Sequence, residues 1–294
     1  MPDSCMAPLL RPLCVASLAT VSAAVVYALP LTALEGSPDA LLNAWSESRQ
    51  SQEASSAFDE PLRLASTQSS GDSSGTLYGV VDAPFASLER ALSQAGAWCA
   101  VLILDPNVHR CTSRQDRIDV EFGESKAPVA FAFERTAGRG DYLQVRLTAA
   151  SGPFGTRDYM IAFEAAPLDA GRSIVHLTFA QRFGVAARIA MAAYFNTVGR
   201  SKVGFTVVDR DDAGRPVYVR DLRGALERNL MRYYFGILAY LDSLSAPPDQ
   251  QPDRRVRTWL ALTERYPLQL REDAGYLERK SPDVRSQHSA DLNF

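Results

Sequence analysis

Histidine and cysteine are scarce in this 294-residue sequence: three histidines, His109, His176 and His288, and four cysteines, Cys5, Cys14, Cys99 and Cys111. Neither type recurs at the short spacings that gather ligands around a metal ion, and His109 beside Cys111 does not make such a set, so no metal site is expected. The letters Gly-x-Ser-x-Gly occur at Gly71 to Gly75, in serine-rich sequence read as tether, and no nucleophile elbow is expected there. Gly36, Gly71 and Gly75 lie in serine-rich sequence and do not form a phosphate-cradling loop. No catalytic residue and no cofactor follow from these residues. An excess of positive charge is lacking too, with 31 basic against 34 acidic side chains and a formal net charge of −3. There is no basic field for a phosphate backbone, which excludes nucleic acid as a partner. What remains is an ordinary globular composition, 46% hydrophobic and 22% charged, long enough to bury a real core.

One apolar run stands out. From Leu13 to Leu31, after Arg11, no residue is charged. Such a run reads as an export signal, with cleavage after Ala28 or Ala33, although its length also suits an uncleaved anchor that would tie residues 13–31 to a membrane. Arg11, Pro12 and Leu13 lack the small-residue lead-in that a lipid-modified Cys14 requires. The expected location is therefore periplasmic or otherwise extracytoplasmic. Cleavage would leave Cys99 and Cys111, which in an oxidising compartment pair as a disulfide; the alternative is two separate buried thiols. The Pro106-Asn107 turn folds the chain back between them and favours the bond.

Residues 34–75 are rich in Ser, Gln, Asp and Gly and read as a flexible tether, interrupted at Phe58 to Leu64 by an edge strand through Leu62 and Leu64. Residues 76–245 read as the folded domain. It opens with a strand, Leu77 to Val81, followed by a helix start in which Asp82 precedes Ala83 and Pro84. A second short helix carries Trp98 and Cys99 as far as Pro106. Period-two rows then follow: Ile118, Val120, Phe122; Phe131, Phe133; Leu143, Val145, Leu147; Tyr159, Ile161, Phe163; and Val175, Leu177, Phe179. With glycine-bearing turns between them, these predict an antiparallel meander. An alanine-rich helix over 185–198 and a last strand over 203–208 come next. A long helix from Asp221 then keeps Leu222, Leu226, Leu230, Tyr233 and Ile237 at three- and four-residue spacing, with Arg223, Glu227, Arg228 and Arg232 on a face read as wet and ion-paired. Residues 246–253 read as a linker, 254–280 as a helical extension and 281–294 as a disordered tail.

The order of strand, two short helices, antiparallel strands and long C-terminal helix, over Leu77 to Leu244, resembles the START-like helix-grip superfamily, which includes lipid-transfer proteins and polyketide cyclases. The stretches from Gly152 to Tyr159 and from Glu227 to Tyr234 are also similar to ones in uncharacterised exported members of that group. The resemblance implies an α+β fold with the antiparallel sheet curved around the long C-terminal helix, an inserted helix and a helical C-terminal extension, and an apolar ligand held between sheet and helix. It implies a lining of Phe131, Phe133, Leu143, Val145, Tyr159, Ile161, Phe163, Leu177 and Phe179 from the sheet and Tyr233, Ile237 and Tyr240 from the helix. Taken one row at a time, the same residues read rather as a packed core. The helix at 185–198 and the segment beyond Arg254 depart from the family pattern, and either could close or fill the cavity.

Three functions stay open on the sequence: an exported carrier or sensor of a lipid-like molecule, a cyclase- or dehydratase-like enzyme using the same cavity, and an interaction module presenting Trp259 and Tyr266 to a partner. His176 lies on the strand row opposite Val175 and Leu177, within reach of Arg146 or Glu164 on neighbouring strands. It reads as a proton-transfer group or as a hydrogen-bonded sheet residue.

Overall fold

The computed structural model describes residues 34–50, 58, 61–123, 128–137, 140–152, 155–197, 199–272 and 274–291. The apolar run at 13–31 lies outside the described residues.

The period-two rows become strands. β1 (Leu62–Gln68), β2 (Asp72–Val81), β3 (Val108–Ser113), β4 (Arg117–Phe122), β5 (Pro128–Ala137), β6 (Leu143–Ser151), β7 (Thr156–Pro167) and β8 (Ser173–Phe183) form one antiparallel sheet in the order β1-β2-β8-β7-β6-β5-β4-β3. β3 to β8 are a meander, and β2 enters beside β8. Between β2 and β3 the chain forms α2 (Phe85–Leu92) and α3 (Ala95–Leu102). The pairing register aligns Leu77, Leu177, Phe163 and Val145 in one row across the sheet, and Gly75, Phe179, Ile161, Leu147 and Phe133 in the next. These rows share a face because strand side chains alternate.

The long helix α5 (Asp221–Ser243) lies on that face. Its approach to β2 is close enough that a Cβ at Gly75 would come within 2.4 Å of Leu226 and 2.8 Å of Leu230. A helix apolar on almost every side is a buried one, and α5 is enclosed by β1, β2 and β8, by α3, by α4 (Val185–Asn196), and by α6 (Gln251–Thr263) and α7 (Pro267–Leu270) of the C-terminal extension. The α+β architecture is thus an antiparallel sheet gripping a long helix.

Several expectations need correction. The segment read as tether holds α1 (Pro38–Gln50), and β1 pairs with β2 along its full length. The average composition concealed Leu41 and Trp45, four apart, which bury against Ala166 and Ile174 on the outer face of the sheet. α2 begins after Pro84 with no side-chain cap, so Asp82 does not close the helix start. The strand placed at 203–208 is displaced: β9 (Val207–Arg210) pairs only with β10 (Pro216–Tyr218), apart from the main sheet. Phe205, just before β9, is buried against Phe58 and Tyr266 instead. The tail read as disordered from 281 continues as α8 (Tyr276–Asp291). Trp259 and Tyr266 are not presented to a partner, since Trp259 stacks on Tyr276 with centroids 4.8 Å apart and Tyr266 stacks on Phe235.

The supposed wet face of α5 is also interior. Glu227 is fully buried; its Oε2 accepts from the Phe205 N–H at 2.6 Å and the Thr206 N–H at 2.9 Å, and its Oε1 accepts from the Thr206 hydroxyl at 2.7 Å and from the Ser66 hydroxyl. One carboxylate therefore satisfies a stretch of chain that has left the sheet and would otherwise bury unpaired N–H groups. The close approach of this stretch to the helix requires glycine on both sides. A Cβ at Gly224 would lie 2.9 Å from the Val219 carbonyl oxygen and 3.0 Å from the Gly204 nitrogen.

Two predictions follow from this packing. Glycine to alanine inside a helix ordinarily stabilises by about 1 kcal/mol, but Gly224→Ala pushes backbone against backbone and should lose roughly 1 to 3 kcal/mol in urea titration; a gain in stability would show that the two segments are not locked. Cys99 in α3 and Cys111 in β3 are bonded, with Cα atoms 5.3 Å apart. Closing so short a loop contributes about 3 kcal/mol on the chain-entropy view, so reduction should lower the melting temperature by several degrees. Thiol labelling of denatured, unreduced protein cut free of residues 1–33 should find no free cysteine, and two labelled thiols would refute the bond.

Candidate functional site

At the end of the sheet where β7 begins and β8 finishes, a cavity of about 420 Å³ opens between the strands, α4 and α5. That volume falls within the ~300 to 1,000 Å³ usual for small-molecule sites. Thr156 and Tyr159 of β7, Gln181 of β8 and Phe122 of β4 form its sheet wall, Met191, Tyr194 and Phe195 come from α4, and Ala225, Arg228, Asn229, Arg232 and Tyr233 come from α5. α4 is there because Ala187 and Phe195 bury against Phe183 and Leu222, with Met191 and Ala225 alongside. This leaves its other side exposed at Val185 and Ile189. A second hollow, about 450 Å³, lies among the C-terminal helices and is walled partly by the exposed, charged Glu264 and Arg271, away from the sheet.

Of the residues expected to line a cavity, Tyr159 and Tyr233 do so, with their hydroxyls 3.2 Å apart. Burial raises the pKa of both well above the ordinary tyrosine value, so they stay neutral. Phe131, Phe133, Leu143, Val145, Ile161, Phe163, Leu177, Phe179 and Ile237 pack into the core, and Tyr240 sits at its edge with the Arg255 guanidinium over its ring. Phe163 meets Trp98 of α3, and Phe179 meets both Tyr159 and Tyr233. α3 and the aromatic ring stack thus fill the deeper part of the grip, and the cavity lies toward α4.

The sequence reading missed Arg228 and Arg232 as cavity residues. Arg228 is 6% exposed and donates to the Val203 carbonyl at 3.3 Å. Burial, and then the neighbouring Arg232, lower its pKa to about 10. Arg232 donates to Glu272 at 2.8 Å, while its buried Nε has no partner among the described residues. Asp105, the carboxylate on the lining, accepts through Oδ1 from the main-chain and side-chain N–H groups of Asn107 and makes no ion pair among the described residues. Lys202 stands at the exposed rim, donating to the Tyr194 hydroxyl at 2.6 Å. A signal for this was present in the run from Leu230 to Leu241, too apolar all round for a surface helix, which implies that charges within it face an interior.

His176 belongs to a different place, the outer face of the sheet. Its Nδ1 lies 2.7 Å from Glu164 Oε2, and its Nε2 meets the Thr76 and Thr178 hydroxyls. A carboxylate only accepts, so Nδ1 carries the hydrogen. Hydroxyl, imidazole and carboxylate in this order are the parts of a nucleophilic triad, but Thr76, His176 and Glu164 are all buried and Tyr78 stacks on the imidazole at 4.2 Å. The cavity does not reach them. Glu164 also accepts from the N–H groups of Glu35 at 3.1 Å and Gly36 at 2.9 Å and from the Tyr142 hydroxyl. His176 is therefore a hydrogen-bonded sheet residue that orients the carboxylate tying down the chain ahead of α1.

No known protein family matches the chain by sequence, and no characterised protein matches it by sequence either. Overlap with solved structures is slight. Human StAR-related lipid transfer protein 5 is 10% identical, covering 71% of this chain and 96% of its own, with a TM-score of 0.36. Norcoclaurine synthase from Thalictrum flavum is 11% identical, covering 45% and 91%, with a TM-score of 0.32. A Thermobifida fusca protein is 18% identical, covering 42% and 82%, with a TM-score of 0.30. Overlaps this weak carry no argument, and function has to be argued from the site.

Burial alone would raise the Glu164 pKa; the hydrogen bonds from His176, the Gly36 N–H and Tyr142 outweigh it and hold the carboxyl below its ordinary value. A depressed carboxylate pKa stabilises the fold above the unfolded value of about 4.3 and ceases to as pH falls through the folded value. The anchor should therefore hold at neutral pH and fail only when acidification passes the lowered folded value. Glu164→Gln should reproduce that failure at neutral pH. The Glu35 and Gly36 amides should lose protection in hydrogen exchange while β6 to β8 keep theirs; unchanged protection at both amides would rule out the carboxylate as the anchor.

Proposed function

We propose that this chain is an exported, non-catalytic carrier or sensor that shelters the apolar part of a small lipid-like molecule in the cavity between β7, β8, α4 and α5. The observation that carries this reading is the cavity itself, placed where the sheet and long helix part and faced by Phe122, Met191, Phe195 and the paired Tyr159 and Tyr233 hydroxyls. An apolar wall with a few fixed polar handles is how such molecules are held. α4 supports a route of entry: it rests on α5 through a small patch around Ala187, Phe195 and Leu222, and this wall costs less to displace than the strands. The apolar run at 13–31 and the Cys99–Cys111 bond support an extracytoplasmic setting, the first by its composition and the second because such bonds persist where the environment is oxidising.

An enzyme of the cyclase or dehydratase kind is the second reading, favoured by one observation, the Asp105 carboxylate on the cavity wall. Its Oδ1 is occupied by Asn107, and the neighbouring tyrosines are held neutral by burial, as hydrogen-bond donors rather than bases. The arrangement suits holding a molecule better than moving its protons.

Native mass spectrometry of the full chain taken from its producing cells should show an added mass that organic extraction removes. Met191→Trp, which places a larger ring on the cavity wall, should cut uptake of a fluorescent fatty acid by roughly tenfold or more with little change in melting temperature. Protein that is uniformly empty and takes up no apolar probe would end the carrier reading.

A further inference from the structure

Resting on the carrier reading of this cavity, we infer that Arg228 and Arg232 form an oxyanion site in its α5 wall, so that the ligand is an amphipathic anion whose head carries a carboxylate or phosphate group. The two guanidiniums are four residues apart on α5 and both line the space. Like charges at that spacing repel, and a buried charge is costly unless it is paired. The protein pairs neither fully. Arg228 is 6% exposed and meets no carboxylate among the described residues, its one protein partner being the Val203 carbonyl. Arg232 gives one nitrogen to Glu272 and keeps a buried Nε with no partner among the described residues. Asp105 is too far from either guanidinium to count as an ion pair and already accepts from Asn107.

A guanidinium carries several N–H donors in a planar fork that fits two oxygens of one oxyanion. Unused donors on two adjacent forks, beside an apolar wall, define a molecule that is charged at one end and apolar at the other. Water can satisfy donors in a roomy cavity, but it supplies no counter-charge, and an oxyanion supplies both. The Tyr159 and Tyr233 hydroxyls lie on the same lining; one donates to the other, and the second O–H, kept protonated by burial, adds to the acceptor preference.

The test is titration of delipidated full-length protein with oleate and with methyl oleate, and with lysophosphatidate and monoolein, at physiological ionic strength. Each pair shares a chain and differs in head-group charge. The acid of at least one pair should bind roughly tenfold or more tighter than its neutral counterpart, a difference of about 1.4 kcal/mol. The pair that shows the larger ratio tells whether the oxyanion is a carboxylate or a phosphate. Arg228→Gln should erase the ratio by weakening the acid and leaving the neutral lipid unchanged, and Arg228→Lys should restore part of it. Should Arg228→Gln fail to fold, the comparison on the native protein still decides. Acids and neutral lipids binding equally well would overturn the anion site and leave the carrier standing, whereas no binding of any of the four would overturn both.

Discussion

Enclosure of α5 is the constraint on which the rest of this structure depends. A helix that lies on a sheet normally keeps one face in water, and its charged residues go there without cost. Here the sheet, α3, α4 and the C-terminal helices leave α5 little such face, so each charge along it must be met inside the protein. Glu227 is met by the N–H groups at 205 and 206 and by Ser66, which draws an irregular stretch of chain and the edge strand β1 onto the helix. Arg232 is met by Glu272, beyond α7 in the C-terminal extension. Arg255 of α6 reaches Ser243 and lies over the Tyr240 ring, which closes the end of α5. The extension is therefore part of the enclosure, and its tryptophan is a core residue.

The strands were legible because an antiparallel sheet with one face on a core has a strict period, and nothing else in soluble sequences imitates it over several consecutive segments. The long helix and the disulfide were legible for similarly local reasons, a sustained spacing and a turn between two cysteines. α1 and α8 were not. Their compositions are polar, and the apolar residues that fix α1, Leu41 and Trp45, have meaning only beside Ala166 and Ile174, more than a hundred residues away. The wrong face assigned to α5 has the same origin. Arg223, Glu227, Arg228 and Arg232 at helical spacing look like a solvated stripe, and only tertiary packing shows that what covers them is protein.

The site was legible in its general place and less so in its residues. Sequence periodicity names every inward residue of the sheet as a candidate, but it cannot say where along the sheet the packing stops. Trp98 against Phe163 and Tyr159 against Phe179 fill the middle with rings, and the cavity lies where α4 takes the place of α3 as the cover. Most of the charged part of the lining, Arg228, Arg232 and Asp105, comes from α5 and from the loop at 105–107, and the loop carries no periodic pattern.

The two faces of the sheet divide the work between them. Alternation along β7 sends Tyr159, Ile161 and Phe163 inward and Glu164 outward, so one strand supplies both a cavity hydroxyl and the carboxylate that ties down the chain ahead of α1. β8 does the same with Leu177 and Phe179 on one side and His176 on the other. A polar cluster as buried as Thr76, His176 and Glu164 holds three neighbouring strands, β2, β8 and β7, rigidly because every member is satisfied. Rigidity in β7 and β8 in turn fixes the sheet wall of the cavity. Adaptation to a guest must then come from α4, the one wall that rests on a small apolar patch rather than on a hydrogen-bonded ladder.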